Sequence, residues 1–337
     1  MTRMAGEFDL IKRYFTRPSR RAALGVGDDC ALLQPTPGHQ LAISSDMLVQ
    51  GRHFFADVNP RTLGHKALAV NLSDLAACGA QPLAFTLALA LPEVNEPWLA
   101  AFSEGLFTLA DAHACELIGG DTTRGPLNIC ITVFGEVPVA HGHTQALLRS
   151  GACAGDDLYV SGSIGDARLA LDALLGRITL PDDVLLATRA RLETPTPRVA
   201  LGLALRGIAS AAIDISDGLL GDLGHMLELS HLGATVWADD AIQSIAAYAN
   251  SISARDVFDI NFSMSYWYHL ALAGGDDYEL LFTASPAQRS AVAAAAAGCQ
   301  TPVRRIGQME ATPGLRVLDA QGQPLPHTFA SFDHFAD

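Results

Sequence analysis

Apolar positions recur in two rhythms along the chain. Phe8, Ile11 and Phe15 fall at helical spacing and predict a short amphipathic helix near the N-terminus. The stretch "HQLAISSDML" predicts a strand over residues 41–43 that ends in Ser44, Ser45 and Asp46. A longer helix is expected over about residues 61–78, closed by Gly79 and then Pro82. Residues 84–91 are apolar almost throughout and read as a buried strand, while Leu99, Phe102, Leu106 and Leu109 mark a second helix. "CELIGGDTT" reads as a short strand running into a glycine turn, and "LNICITVFGEV" as another strand. The pattern breaks at residues 139–143, where "PVAHGHTQ" has the composition of a linker. Beyond it, "DDLYVSGSIGDARLALDALL" is strand, glycine loop and helix. "SAAIDISDGLLGDLGHMLELS" is strand, acidic turn and helix, "GATVWAD" is a strand, and "AGGDDYELLFTAS" is a glycine-acidic turn leading into a strand. Helices and strands alternate in both halves without a solenoid period. The expectation is an α+β protein of two domains, residues 1–140 and 141–337.

Composition narrows the class. The 337 residues are 49% apolar and 17% charged, which suits a globular chain with more than one core. The net charge of −14, from 36 acidic and 22 basic residues, disfavours nucleic acid as a partner. A small anion could still bind where cations supply positive charge. The six cysteines include no C-x-x-C pair, so neither a zinc ribbon nor a dense disulfide framework is expected. The first residues carry acids and no long apolar run, unlike a signal peptide. No stretch approaches the ~18 uncharged apolar residues of a membrane span. A cytoplasmic protein is the expectation.

The candidate chemistry lies in carboxylates. Asp28 and Asp29 are adjacent in "GVGDDCALL"; Asp46 follows a strand; Asp74 lies in "NLSDLAACGA"; Asp121 follows two glycines; Asp214 and Asp217 flank Ser216; Asp276 and Asp277 follow Gly274 and Gly275. Asp74 falls on the stripe Leu63, Ala67, Val70, Asp74, Ala77, and a buried carboxylate needs a partner. A metal ion serves; so does capping of a neighbouring element. If such carboxylates converged without a counter-ion, each pair at ~4 Å would repel by about 4 kcal/mol at an effective dielectric near 20. Oxygen donors without clustered His or Cys point to Mg²⁺ rather than zinc, and Mg²⁺ held by carboxylates is a means of holding polyphosphate on an acidic protein.

Other groups admit two readings each. "SGSIGDA" (161–167) is either a phosphate cradle or an ordinary strand-to-helix turn, and it lacks the Gly-Lys-Ser/Thr ending of a Walker loop. Arg149 is either a phosphate clamp or a surface arginine. His53 is a substrate contact or a packed imidazole, and the hydroxyls of Ser44 and Ser45 are metal ligands or merely end a strand. No G-x-S-x-G elbow, H-E-x-x-H or cysteine-nucleophile signature occurs.

Together the stretches "GVGDDCALL", "ISSDMLVQGRHF", "KALAVNLSDLAACGAQP", "LIGGDTTRGP", "RSGACAGD", "AIDISDGLLGDLGH" and "GGDDYEL", with the C-terminal "FDHF", resemble the thiamine-monophosphate kinase family. They occur in the family's order. The wider superfamily includes aminoimidazole ribonucleotide synthetase, selenophosphate synthetase and a hydrogenase maturation protein. The resemblance implies an aminoimidazole ribonucleotide synthetase-like fold whose N-terminal sheet pairs with its twin across a homodimer. It implies direct in-line transfer of the γ-phosphoryl of ATP to thiamine monophosphate, assisted by several Mg²⁺ ions. It assigns metal contacts to Asp29, Ser44, Ser45, Asp46, Asp74, Asp121, Asp214 and Asp217. Nucleotide contacts fall to Gly120, Asp121, Arg149 and Ser216, and substrate contacts to His53, Asp276 and Phe332. The N-terminal domain would bind ATP and Mg²⁺ and form the dimer, and the C-terminal domain would complete the site.

The chain departs from the family at Ser45, where threonine is frequent, at Cys78 for methionine, at Asp276 for glutamate, and at Phe332 for tyrosine or tryptophan. Residues 246–269 match poorly. Two alternatives compete. A selenophosphate synthetase carries a reactive Cys or Sec ahead of the acidic loop, whereas the first cysteine here, Cys30, lies inside it. A non-catalytic acidic scaffold would not need hydroxyls and an arginine beside glycine-flanked aspartates.

Overall fold

In the computed structural model residues 6–253, 262–325 and 329 are described, so Phe332 lies outside the described residues. The chain divides into two compact units, Met1–Leu75 with Ala80–Gln145, and Ala76–Gly79 with Ala146–Asp337.

In the first unit, α1 (Glu7–Leu10) runs into a π-helical turn (Ile11–Phe15), followed by β1 (Ala22–Leu24) and β2 (Leu32–Leu33). Then come β3 (His39–Val49), α2 (Pro60–Ala77), β4 (Gln81–Leu91), α3 (Glu96–Ala112), β5 (Glu116–Arg124), β6 (Asn128–Ala140) and β7 (His143–Thr144). The main sheet runs β3-β6-β4-β5. β4 and β5 are parallel, joined by the α3 crossover, and the other pairings along that order are antiparallel.

Three local expectations are corrected. The strand expected to stop before Ser44 continues through Ser44, Ser45 and Asp46, because alternation carries on. Ala42, Ser44, Asp46 and Leu48 are more buried than Leu41, Ile43, Ser45 and Met47 on the other face. Gly119 and Gly120 do not form a turn. They lie within β5, which absorbs one extra residue as a bulge opposite Phe85 and Thr86. The expected linker is a hairpin: β6 and β7 pair across His141 and Gly142, whose positive φ angles of 51° and 78° are those of a primed two-residue turn.

Helix α2 is more deeply buried than an amphipathic stripe implies. From Lys66 to Ala77 every residue is buried except Asp74, which is half-buried. A helix enclosed on nearly every side presents polar groups only where it is needed or where it meets solvent.

The second unit holds β8 (Asp157–Ser161), α4 (Asp166–Leu174), α5 (Asp182–Glu193), α6 (Val199–Ala204), β9 (Ala211–Ile215), α7 (Leu219–Ser230), β10 (Gly233–Trp237), α8 (Ala238–Ile242) and α9 (Ala246–Ser253). α10 (Met264–Ala273), β11 (Glu279–Ala284), α11 (Arg289–Gly298), β12 (Val303–Glu310) and β13 (Gly314–Leu318) complete it. Its sheet runs β13-β10-β12-β8-β11-β9. Every residue of β8, β9 and β11 is buried, and Leu158, Ile213, Ile215, Leu223, Leu270 and Leu281 belong to one core. Each such side chain contributes about 1.5–3 kcal/mol by burial. The loops of interest fall at one end of this sheet: after β8, after β9, before β11 and before β12.

Candidate active site

In the first unit, β3 and α2 build a small polar shelf. Ser44 and Asp46 stand on one face of β3. Ser44 Oγ donates a hydrogen bond to the carboxylate of Asp74. One turn earlier on α2, Asn71 Oδ1 accepts the Asp46 amide at 3.1 Å, while Asn71 Nδ2 donates to Ala67 O at 3.1 Å. Asn71 is 1% exposed, so strand and helix are locked together where the two carboxylates stand. Ser45 is not on this shelf. It sits on the opposite face, its hydroxyl 2.9 Å from Thr132 Oγ1 and donating to Ile131 O at 3.2 Å.

Asp28 and Asp29 lie exposed in the loop between β1 and β2, where Asp28 Oδ1 accepts the Asp29 amide at 2.8 Å. The His53 ring accepts the Val49 amide on Nδ1 at 3.0 Å, which leaves the ring proton on Nε2. Gly120 and Asp121 are exposed on β5. Gly120 has φ +146°, and a Cβ there would lie 1.9 Å from Leu87 O, so no other residue fits without moving β4. Beside them is a cleft of about 40 Å³ lined by Ile11, Phe15, Val26, Leu87 and Leu117.

In the second unit the turns after β9 and before β11 pack together. Asp214 is buried at the end of β9, and Ser216 and Asp217 follow half-buried. Asp222 Oδ2 accepts the amides of Ser216, Asp217 and Gly218 at 3.0–3.2 Å and so fixes the turn. Burial and then the charge of Asp217 push the Asp222 carboxyl up to about 7, against those hydrogen bonds. The Asp276 amide donates to Ser216 O at 2.9 Å. A Cβ on Gly275 would lie 2.6 Å from that same oxygen, which explains the glycine. Asp276 itself has φ +65°, and Tyr278 Oη donates to its Oδ1 at 3.3 Å. The structure thus brings Ser216, Asp217 and Asp276 side by side. Arg149 is exposed, and its carbonyl accepts from Ser230 Oγ at 3.0 Å.

The acidic run before β11 splits by direction. Asp277 turns inward, where both its oxygens accept the Gly165 amide at 2.9 Å and burial holds its carboxyl well above the usual range. Glu279, fully buried, accepts from Ser161 Oγ at 2.6 Å, Arg191 Nη2 at 2.6 Å and Arg198 Nε at 2.6 Å. Sequence reasoning missed this four-residue cluster; the available signal was an acid opening the apolar run "ELLFTA". The "SGSIGDA" loop resolves the same way. Four of its amides go to Pro302 O (Gly162), Glu279 Oε1 (Ser163), Ser244 O (Ile164) and Asp277 (Gly165), so its glycine-bearing part is a strand-to-helix turn tied into the fold.

Among the described residues no three His, Cys, Asp or Glu side chains stand together as an ion site. Ser44, Asp46 and Asp74 nevertheless form an all-oxygen set. Mg²⁺ is commonly held by one or two carboxylates with the remainder from phosphate and water, and this set fits that pattern.

Residues 27–137 match the AIR synthase related protein N-terminal domain, and residues 154–320 match the corresponding C-terminal domain. The fold and its paired domains are therefore those of the AIR synthase-related class. The chain is 45% identical to thiamine-monophosphate kinase of Salmonella typhimurium, with 98% of both chains covered. It is also similar to the crystal structure of thiamine-monophosphate kinase from Stenotrophomonas maltophilia, at 45% identity and a TM-score of 0.79, covering 90% of this chain and 92% of that one. The structure of AaThiL complexed with AMPPCP and TMP superposes with a TM-score of 0.74 at 26% identity, covering 90% of this chain and 89% of that one. Within the class, the chain belongs to the thiamine-monophosphate kinase family.

Proposed function

We propose that the chain transfers the γ-phosphoryl group of ATP to thiamine monophosphate, giving thiamine diphosphate and ADP. The observation that carries this reading is the locked shelf of Ser44, Asp46 and Asp74, in a chain so closely similar to kinases of that name. The AaThiL structure is a complex with an ATP analogue and TMP together, which is what direct transfer between two bound substrates requires. The acceptor phosphate is already an oxyanion at neutral pH, so the chemistry asks for positioning and charge neutralisation rather than a base or a covalent nucleophile.

In the first unit the metal ligands are Asp29, Ser44, Asp46, Asp74 and Asp121, with the Ser45 hydroxyl turned to the other face of β3; in the second unit they are Asp214 and Asp217. Held by these residues, Mg²⁺ would supply neutralisation of the phosphate charge. Gly120, Asp121, Arg149 and Ser216 hold the nucleotide, with the apolar cleft beside Gly120 as a wall for it. His53, Asp276 and Phe332 take the second substrate. Of the acidic pair before β11, Asp276 serves because Asp277 is spent inside the fold.

Release of ADP, followed with thiamine monophosphate varied, tests the reading. ADP release that depends on thiamine monophosphate and Mg²⁺ is expected. ADP release with aminoimidazole precursors instead would assign another activity of the class.

Thiamine monophosphate carries a cationic thiazolium and a flat pyrimidine. Phe332→Ala is expected to raise its KM about 10-fold, from ~1–1.5 kcal/mol of lost stacking, and to leave the KM for ATP nearly unchanged. Asp276→Ala should do the same or worse, and Asp276→Glu should remain active. Steady-state kinetics with each substrate varied in turn decides this. Weakened ATP with unchanged thiamine monophosphate in Phe332→Ala would move the C-terminal segment to the nucleotide site.

We also infer a homodimer. β3 ends the sheet order, and Leu41, Ile43 and Met47 on one of its faces are 41%, 59% and 53% exposed, a costly surface for a lone chain. Light scattering at micromolar concentration should give about twice 35.6 kDa. A fully active monomer would contradict the dimer and its place in the site.

A further inference from the structure

The second unit contains a cavity of about 410 Å³ that the phosphoryl-transfer reading does not use. It is lined by three guanidinium groups, Arg191, Arg198 and Arg304, together with Ser163, Gln243 and Ser244. Arg191 and Arg198 share a single counter-ion, the carboxylate of Glu279. The side chain of Arg304, exposed on β12, makes no ion pair or hydrogen bond among the described residues. Two further buried carboxylates lie near Arg191: Asp166, which accepts from Ser163 Oγ and the amides of Ala246 and Ala247 at 2.5–3.0 Å, and Asp277, which accepts the Gly165 amide. Arg304 is the guanidinium of the three that no carboxylate pairs among the described residues.

Two donors at this cavity are also unspent. Ser244 is 6% exposed, and its Oγ is buried with no partner among the described residues; the same is true of Arg191 Nε. A buried donor left unpaired is costly, and native structures seldom carry one without a ligand or water to meet it. Guanidinium forks match the oxygens of a phosphate group, and a serine hydroxyl adds a single directed donor. We propose that this cavity is a binding site for a phosphate group, carried by free phosphate or by a small phosphorylated molecule, apart from the residues assigned to the two substrates. Two features set it apart from a helix-terminus or glycine-loop site. Its positive charge comes from side chains, and the Gly162, Ser163, Ile164 and Gly165 amides of the adjoining loop are already spent.

The test is titration calorimetry with inorganic pyrophosphate and with glycerol 3-phosphate. EDTA is present so that carboxylate-held metal cannot contribute. The wild-type chain should bind one equivalent. Arg304→Gln should weaken binding about tenfold, in line with loss of one charge-assisted contact, and Ser244→Ala should weaken it severalfold. Neither variant should change the KM for ATP. Tighter binding of glycerol 3-phosphate than of pyrophosphate identifies an organic phosphate as the ligand, and the reverse order identifies the free anion. No binding to the wild-type chain, or binding undiminished in both variants, would overturn the proposal.

Discussion

Replacing Asp46 or Asp74 by asparagine is expected to leave the fold intact and to lower turnover about 100-fold or more, as removal of single electrostatic groups does in other enzymes. Asp74 is the one residue of α2 between Lys66 and Ala77 that is not buried, and Asp46 stands beside it where Asn71 locks β3 to the helix. Asparagine keeps the volume and can still accept from Ser44, so what is lost is charge, and charge neutralisation is most of what phosphoryl transfer asks of its protein. The measurement is kcat at saturating ATP, thiamine monophosphate and Mg²⁺, beside a melting curve. Turnover near that of the unaltered chain in both variants, with unchanged stability, would remove this shelf from the metal site.

The largest stability effect is expected at Glu279. Glu279→Gln removes the shared counter-charge of Arg191 and Arg198 and weakens the hydrogen bond from Ser161. Breaking a buried pair by removing one partner costs about 3–5 kcal/mol, and partial exposure of the two arginines lowers this to about 2–4 kcal/mol. At roughly 2–4 °C per kcal/mol for a unit of this size, the melting temperature should fall by about 5–15 °C. Scanning calorimetry reads it directly. A fall of less than about 1 °C would show that this cluster is held by packing rather than by the charge of Glu279.

Much of the layout was legible because strand and helix rhythms are local. The α2 and α3 helices, most strands of both sheets and the acidic turn around Ser216 follow from spacing within about a dozen residues, whereas β12 (Val303–Glu310) and β13 (Gly314–Leu318) were not read from the sequence. Asp74 was singled out as the polar member of an apolar stripe. The helix proves to be buried on nearly every side, so the residue stands out because it alone is half-open between Lys66 and Ala77. What escaped were features decided at long range. Whether a strand stops at Ser44 or runs on depends on β6 pairing beside it, 89 residues away at Ser44 and Val133. Glu279 finds Arg191 and Arg198 at separations of 88 and 81 residues, and nothing in its own neighbourhood announces them. The pair Asp276 and Asp277 looks uniform in sequence, yet the two diverge because one has positive φ and the other meets the Gly165 amide. Phe332 and the segment expected to match poorly, residues 246–269, fall wholly or partly outside the described residues.

The most direct measurement of the central claim is phosphorus NMR of the chain with ATP, thiamine monophosphate and Mg²⁺, followed without coupling enzymes. The account predicts that the thiamine monophosphate resonance is replaced by the two phosphorus signals of thiamine diphosphate, in step with formation of ADP and without release of free phosphate. ATP consumed to free phosphate with thiamine monophosphate unchanged, by protein shown to be folded, would contradict it.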